Sequence, residues 1–232
     1  MRDPISVPEA ARTLKLSATR VRVMASRGQL PAKKIADRWF IERSAVEQRR
    51  RQKAFRGRRF TPQNGWGILM LASGEGAAQL DASVRSRLKR VLALQGLGAL
   101  APRLRERANL LEYKAHPGEI SYVLDDETLM RTGISAAGPL HLDLLPGREA
   151  DGYLSRSQLQ SFITRHALAP ADIDGNIQLR VVPDEVWSSF GLGDRYVAPR
   201  AAVALDLADE LDPRSQATGK ELLREIDRQR AS

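Results

Sequence analysis

Apolar residues first recur at a helical period between residues 5 and 27. Val7, Ala10, Ala11 and Leu14 repeat at the spacing of one helix face. Ser6 precedes them and Glu9 stands three residues further on, which is the spacing of a capping box. After the short connection Leu14-Lys15-Leu16, Ser17 is placed to cap a second helix that reaches Arg27 and stops at Gly28. Val21, Met24 and Ala25 share one face of that helix and suit packing on the first. Thr19, Val23 and Ser26 share the opposite face, bordered by Arg20, Arg22 and Arg27. Beyond Leu30-Pro31 the pattern changes. Ile35 and Trp39 to Ile41 are β-prone, and Ala36-Asp37-Arg38 between them predicts a tight hairpin turn. Trp39 is expected in the core. Ser44 then caps a further expected helix.

Two helices joined this tightly and followed by a basic hairpin predict a winged helix-turn-helix. In that arrangement the second helix enters the major groove and the wing contacts phosphates or the minor groove. Arginine pairs two-pronged with guanine, and threonine or valine touches a thymine methyl. The candidate base-reading residues are therefore Ser17, Thr19, Arg20, Arg22, Val23, Ser26 and Arg27. The candidate wing contacts are Lys33, Lys34 and Arg38. The charge run QRRRQKAFRGRRF over residues 48–60 reads as a solvated linker, as a phosphate-tracking arm through Arg49, Arg50, Arg51, Arg56, Arg58 and Arg59, or as both.

Behind this head the chain reads as mixed α and β with helix in excess. Thr61-Pro62 opens a helix through Trp66, Leu69, Met70 and Leu71 that stops at Gly74. Val84, Leu88, Val91 and Leu92 form the apolar stripe of a helix over 81–95, with Arg85, Arg87, Lys89 and Arg90 on its other side and Gly96 and Gly98 breaking it. Short helical character is expected over 102–108, strands over 110–115, 140–145 and 177–182, a helix over 155–167, and closing helices over 198–211 and 214–228. The expected domains are 1–48 (winged helix-turn-helix), 49–60 (basic arm) and 61–232 (interaction or regulatory domain), and the fold class is α+β, helix-rich.

Charge sharpens this division. The 232 residues carry a formal net charge of +9, yet residues 1–60 hold 17 Lys and Arg against 5 Asp and Glu, while the remainder holds 20 against 23. A polyanion-binding head on a near-neutral body follows. No cysteine is present, which excludes disulfides, thiolate zinc sites and cysteine nucleophiles. No long apolar run marks a signal peptide or a membrane span, so a cytoplasmic protein without a membrane role is expected.

The order SVPEAARTL, LSATRVRVMASRGQLPA, DRWFIERSAVE resembles the winged helix-turn-helix shared by MerR-type regulators and phage excisionases, over about residues 5–48. That resemblance implies DNA contacts by Thr19, Arg20 and Arg22 on the helix and by Lys33, Lys34 and Arg38 on the wing. The chain lacks the long dimerisation helix and the cysteine sensor of MerR regulators. The body is similar to AbiEi-type antitoxins in RRFTPQNGWGILMLASGE, DGYLS, QLRVVP and the ending around Asp206-Leu207, Asp212-Pro213-Arg214 and Leu222-Leu223. This implies a repressor that autoregulates a toxin–antitoxin operon and has a nucleotidyltransferase as its toxin partner.

Enzymatic chemistry is not expected. His116, His141 and His166 do not share a metal-binding spacing, and no HExxH pattern occurs. Asp125-Asp126-Glu127 and Asp172/Asp174 sit beside turn residues, where caps and Asx turns explain them. Gly74-Glu75-Gly76 and Gly191-Leu192-Gly193 lack the third glycine and the context of a dinucleotide loop. No catalytic residue, cofactor or metal is assigned. The expected partners are operator DNA, a cognate toxin, and further copies of the chain assembling as a dimer or cooperatively on DNA. Alternatives are an excisionase-like protein that bends DNA, and a protein-interaction module whose basic head binds an acidic partner.

Overall fold

The structure is a computed structural model, and it describes residues 4–26, 30–43, 45–46, 58–145, 147, 149–171, 175–210 and 212–231. The chain divides into two compact units, Met1–Gly57 and Arg58–Ser232.

In the first unit, β1 (Pro4–Ser6) leads directly into α1 (Val7–Leu14). Ser6 Oγ accepts the Glu9 backbone N–H, which satisfies one of the donors left open at a helix start. Lys15 ends α1 in the left-handed conformation at φ 52°, and the N–H groups of Lys15 and Leu16 close back on Arg12 O and Ala11 O. α2 (Ala18–Ser26) follows after the three residues Lys15, Leu16 and Ser17. β2 (Ala32–Ile35) and β3 (Arg38–Glu42) form the hairpin, with Ile35 opposite Arg38 and Lys33 opposite Phe40. Ala36 and Asp37 both take positive φ, 44° and 61°. That is the pair of left-handed residues a two-residue turn with the twist of its strands requires. β1 pairs with the other side of β3, giving a three-stranded antiparallel sheet in the order β1-β3-β2. Ile5, Val7, Ala10, Leu14, Val21, Met24, Leu30, Ile41 and Val46 close one small core, with Trp39 packed against it. The helix expected from Ser44 lies largely outside the described residues.

In the second unit, α3 (Pro62–Ala72) is capped by Thr61 and is buried on nearly every side, which fits its all-round apolar sequence. α4 (Ala82–Leu100) kinks at Gly96, where φ is 74°. The Asp227 carboxylate caps the restarted turn by accepting Leu97 N at 2.6 Å and Gly98 N at 3.3 Å. The sheet is formed by β4 (Asn109–Lys114), β5 (Met130–Arg131), β6 (Ala150–Ser155), β7 (Ala169–Pro170) and β8 (Ile177–Val182), in the order β5-β6-β8-β4-β7. β6 and β8 are parallel and joined through α6 (Leu159–Arg165), and the other pairs are antiparallel. α5 (Ile120–Asp125) and α6 cover one face with a core around Val123, Phe162, Leu154 and Leu179. The other core gathers α3, α4, α7 (Asp184–Ser189), α8 (Arg200–Asp209) and α9 (Pro213–Ala231) around Trp66, Tyr153 and Leu205. α8 and α9 come together at Gly219, where an added Cβ would lie 2.3 Å from Ala208 N.

Several expected elements take another form. Residues 140–145 are turn and irregular chain, because His141 adopts φ 53° and Leu144 N bonds to Leu142 O, which breaks an extended run. The expected helix over 102–108 is two single 3-10 turns, Ala101–Arg103 and Arg105–Arg107. β6, α5 and α7 fall where no element was predicted.

One polar cluster crosses the larger core. The fully buried Asp206 carboxylate accepts Thr132 Oγ1 at 2.6 Å, the Tyr153 hydroxyl at 2.8 Å and Arg180 Nε at 3.0 Å, and it pairs with Arg107 Nη2. Arg180 also pairs with Asp151, and Arg107 Nε donates to the Tyr153 hydroxyl at 2.9 Å. Burial alone would raise the Asp206 pKa, but Arg180 and Arg107 hold it below the ordinary carboxylate value. Burial alone would likewise lower the Arg107 pKa, but Tyr153 and Asp206 hold it above the ordinary arginine value. The cluster joins 107, 132, 151, 153, 180 and 206, so it clamps the helices to the sheet.

Candidate nucleic-acid interface

The outward face of α2 is set by what its inward face must bury. Val21, Met24 and Ala25 are buried, which turns Thr19, Arg20, Arg22 and Ser26 to solvent and leaves Val23 half-buried among them. Ser17 Oγ accepts the Arg20 N–H at 3.2 Å, so Ser17 acts as the helix cap that its sequence position predicts. This bond fixes the start of the helix and with it the direction of Arg20 and Arg22. Ser26 Oγ donates to Val23 O at 3.1 Å. Among the described residues, Arg20 and Arg22 make no ion pair, so their guanidinium groups remain available.

The wing presents a second basic surface. Lys33, Lys34 and Arg38 are exposed, and strand alternation places Lys33, Ile35, Arg38 and Phe40 on one face. Lys34 Nζ pairs with Asp37 at 2.7 Å across the turn, with both side chains largely in solvent. Ile35 is an exposed apolar residue at 58% and stands beside Arg38. Arg43 pairs with Glu9 at 3.0 Å and is thereby drawn back toward α1.

The expected arm divides. Arg27, Arg49, Arg50, Arg51 and Arg56 lie outside the described residues. Arg58 and Arg59 belong to the second unit. The Arg58 carbonyl accepts Arg103 Nε at 3.1 Å, and Arg59 pairs with Glu106 at 2.9 Å, with both partners about half exposed. Phe60 is buried beneath Arg103, whose guanidinium carbon lies 4.0 Å from the ring centroid. An exposed pair such as Arg59–Glu106 is worth about 0–1 kcal/mol, too little to withhold Arg59 from a phosphate.

Three of the residues weighed for catalysis and metal binding, His116, His166 and Asp126, are held by local contacts. His116 caps the turn at Pro117 by accepting Gly118 N at 3.2 Å. His166 is buried between Glu119 at 3.0 Å and Asp126 at 2.9 Å. Asp126 forms an Asx turn with Thr128 N and Oγ1, at 2.9 and 2.6 Å. Burial opposes the Asp126 charge, but Thr128, His166 and Arg165 hold its carboxyl well below the usual range. Asp172 and Asp174 lie outside the described residues. Among the described residues, no group of three or more His, Cys, Asp and Glu could hold a metal ion, and no helix is long and apolar enough to cross a membrane.

The sequence did not signal the buried Asp206 cluster, because its members are dispersed over about a hundred positions and no local motif joins them. It also gave no sign that Asp37 engages Lys34. That pairing depends on the left-handed turn, which Ala36-Asp37 adopts without the Asn-Gly pair that usually marks it.

A family described as Helix-turn-helix domain matches residues 5–54. No curated protein gives a significant match to the chain. No solved structure does so either. The matched segment contains both helices and the whole hairpin, so the chain carries a helix-turn-helix domain at its N-terminus.

Proposed function

We propose that this protein is a sequence-specific double-stranded-DNA-binding regulator that acts without catalysis and without a cofactor. α2 enters the major groove through Thr19, Arg20, Arg22, Val23 and Ser26. The wing contacts the backbone or minor groove through Lys33, Lys34 and Arg38, and arginines of the 49–59 segment add phosphate contacts. The observation that carries this reading is the exposed, acid-free outer face of α2 inside the matched helix-turn-helix segment. The more specific form is a cytoplasmic repressor that autoregulates a toxin–antitoxin operon. In this form the body makes the protein contacts, either to a nucleotidyltransferase toxin or to a second copy of the chain. Its support is the sequence resemblance of the body to AbiEi-type antitoxins.

Selection of bound duplexes from a random pool by the full-length protein supplies the operator. Binding to that operator is then titrated with salt. Four or more phosphate contacts give a log–log slope steeper than about −3.5. A salt-independent affinity, or no enriched sequence, refutes the reading. Arg22→Ala should remove about 1–3 kcal/mol of discrimination if Arg22 reads a base. An equal loss on operator and random DNA would instead make it a phosphate contact. Co-expression with the product of a neighbouring nucleotidyltransferase gene tests the antitoxin form, and failure to relieve toxicity refutes that form alone.

A further inference from the structure

The second unit carries its own concentrated positive charge, and all of it falls on and just after α4. Residues 82–105 contain six Lys and Arg and no Asp or Glu, whereas the rest of 61–232 holds 14 against 23. Three of the six are engaged. Arg85 Nη1 donates to the carbonyls of Ala77, Ala78 and Leu80, Arg103 lies over Phe60, and Arg105 pairs with Asp209. Arg87, Lys89 and Arg90 are exposed, and among the described residues they make no ion pair.

Other arginines of the unit behave differently. Arg131 pairs with Asp125, Arg165 with Asp126, Arg195 with Glu75, Arg200 with Glu225 and Arg214 with Asp143. Acidic partners are therefore plentiful in this unit, yet among the described residues none pairs with Arg87, Lys89 or Arg90. The acids placed against the helix are Asp81 at its N-cap and Asp227 of α9, and the latter is already bonded to the backbone at the kink.

The buried positions Leu88 and Leu92 fix the orientation of the helix. Ser83, Arg87, Arg90 and Leu94 then follow one another at i, i+4, i+7 and i+11 along its solvent face, with Ser86 beside them and Lys89 at the margin. Small hydroxyl residues between cations leave a low surface. A phosphate chain can approach such a surface closely, and both serine hydroxyls can donate to phosphate oxygens.

We infer that the outer face of α4 is a second phosphate-backbone contact for duplex DNA, carried by Arg87, Lys89 and Arg90 with Ser83 and Ser86. This inference rests on the DNA-binding reading of the head and extends it: the body adds sequence-independent affinity outside the segment read by α2. The ligand is the phosphate backbone of DNA, because among the described residues the three cations are unpaired and face solvent, and the exposed Leu94 stands at the end of their row as a single apolar residue, not as the apolar centre that a protein interface buries.

The test compares full-length wild type with the triple variant Arg87→Ala, Lys89→Ala, Arg90→Ala on the selected operator embedded in a long duplex. The three sites are exposed helix positions where alanine favours the helix, and a matched thermal transition verifies folding. A triple glutamine variant serves as a second test should alanine alter that transition. Three lost phosphate contacts make the log–log salt slope shallower by about 2.7, which is about a 40-fold smaller loss of affinity over a fourfold rise in salt. The loss should be equal on operator and random DNA, and trimming the duplex to the bare operator should reproduce it in the wild type. An unchanged slope in a variant that still binds the operator overturns the inference and leaves the head's function standing. A wild type that binds no duplex at all refutes the proposed function itself. If the variant keeps its DNA slope but loses binding to poly-glutamate, the face serves an acidic protein and the DNA inference is overturned.

Discussion

Asp206→Asn should destabilise the second unit far more than its near-isosteric change suggests. The native carboxylate receives four donors: two hydroxyls, from Thr132 and Tyr153, and two guanidinium groups, from Arg107 and Arg180. Asparagine keeps one acceptor oxygen and turns an NH2 group toward donors, so at least one former partner loses its acceptor. Each buried donor left unpaired costs about 1–3 kcal/mol. The loss of charge also removes the one carboxylate that both buried arginines share, leaving Arg180 with Asp151 and Glu210 and Arg107 with the more distant Asp209. Breaking a buried pair by removing one partner costs about 3–5 kcal/mol in general. The two effects describe one set of contacts and do not add, so about 3–5 kcal/mol is the expected total. Urea unfolding followed by Trp66 and Trp187 fluorescence reads the second unit at neutral pH. pH supplies an independent check. The Asp206 carboxyl lies below its unfolded value, near 3.9 for an ordinary Asp. Its stabilisation is therefore complete above about pH 4 and declines as pH falls through the folded value. The gap between wild type and variant should narrow only on the acid side. A loss under about 1 kcal/mol at neutral pH, or a gap that narrows on the alkaline side, would refute the clamp.

Three other outcomes follow from single contacts. Gly219→Ala gains about 1 kcal/mol of helix propensity, but its Cβ meets backbone atoms of Leu207, Ala208 and Ala204 at 2.3–2.8 Å, so α8 and α9 must separate. A net loss of about 1–3 kcal/mol in chemical denaturation is expected, and a stabilised variant would contradict the close approach. Asp37→Gly relaxes a left-handed residue in the wing turn and releases Lys34 from its ion pair; binding to random duplex should tighten and its salt slope should steepen by up to about 1, while a weaker interaction would show that Asp37 orients the wing. Asp126→Asn should flatten the acid limb of the stability curve. The native carboxyl is held low by Thr128, His166 and Arg165, so its contribution is full above about pH 4 and is lost below it; an unaltered acid limb would contradict that assignment.

The head was legible because its signals are local. Ser6, Ser17 and the Val21, Met24, Ala25 face act within a few residues of themselves, and burying one face of α2 fixes what the other presents. The body was legible only where the same local rules apply, as at Thr61-Pro62, the α4 stripe and the Gly96 break. It failed where polar residues are buried by distant partners. β6 reads as ADGYLS, a turn-like string, yet all six residues are buried, because Asp151 finds Arg180 and Tyr153 finds Arg107 and Asp206. The reverse error occurs over 140–145, where Leu140, Leu142 and Leu144 alternate like a strand. Leu140 and Leu142 pack against the larger core and Leu144 is buried in it, but the chain between them turns through a left-handed His141. Period alone does not distinguish these two cases.

Arginine serves two purposes in this chain, and the availability of an acid decides which one applies. In the larger core Arg107 and Arg180 are neutralised by Asp206 and Asp151 and hold helices to the sheet. On α2 and α4 the exposed Arg20, Arg22, Arg87 and Arg90 have no acid on the same face, although the second unit as a whole has acids in excess. An unpaired exposed cation contributes nothing to folding through ion pairing, so the fold alone does not require it there. Under the proposed reading both surfaces, one in each unit, contact the phosphate backbone of one duplex. They also predict that head and body variants lose salt slope independently. If a Lys33→Ala, Arg38→Ala wing variant and the α4 triple variant each act on the same duplex without shared contacts, their combined slope change should equal the sum of the two. A smaller combined change would place both surfaces on the same phosphates, and the body would then compete with the head for DNA.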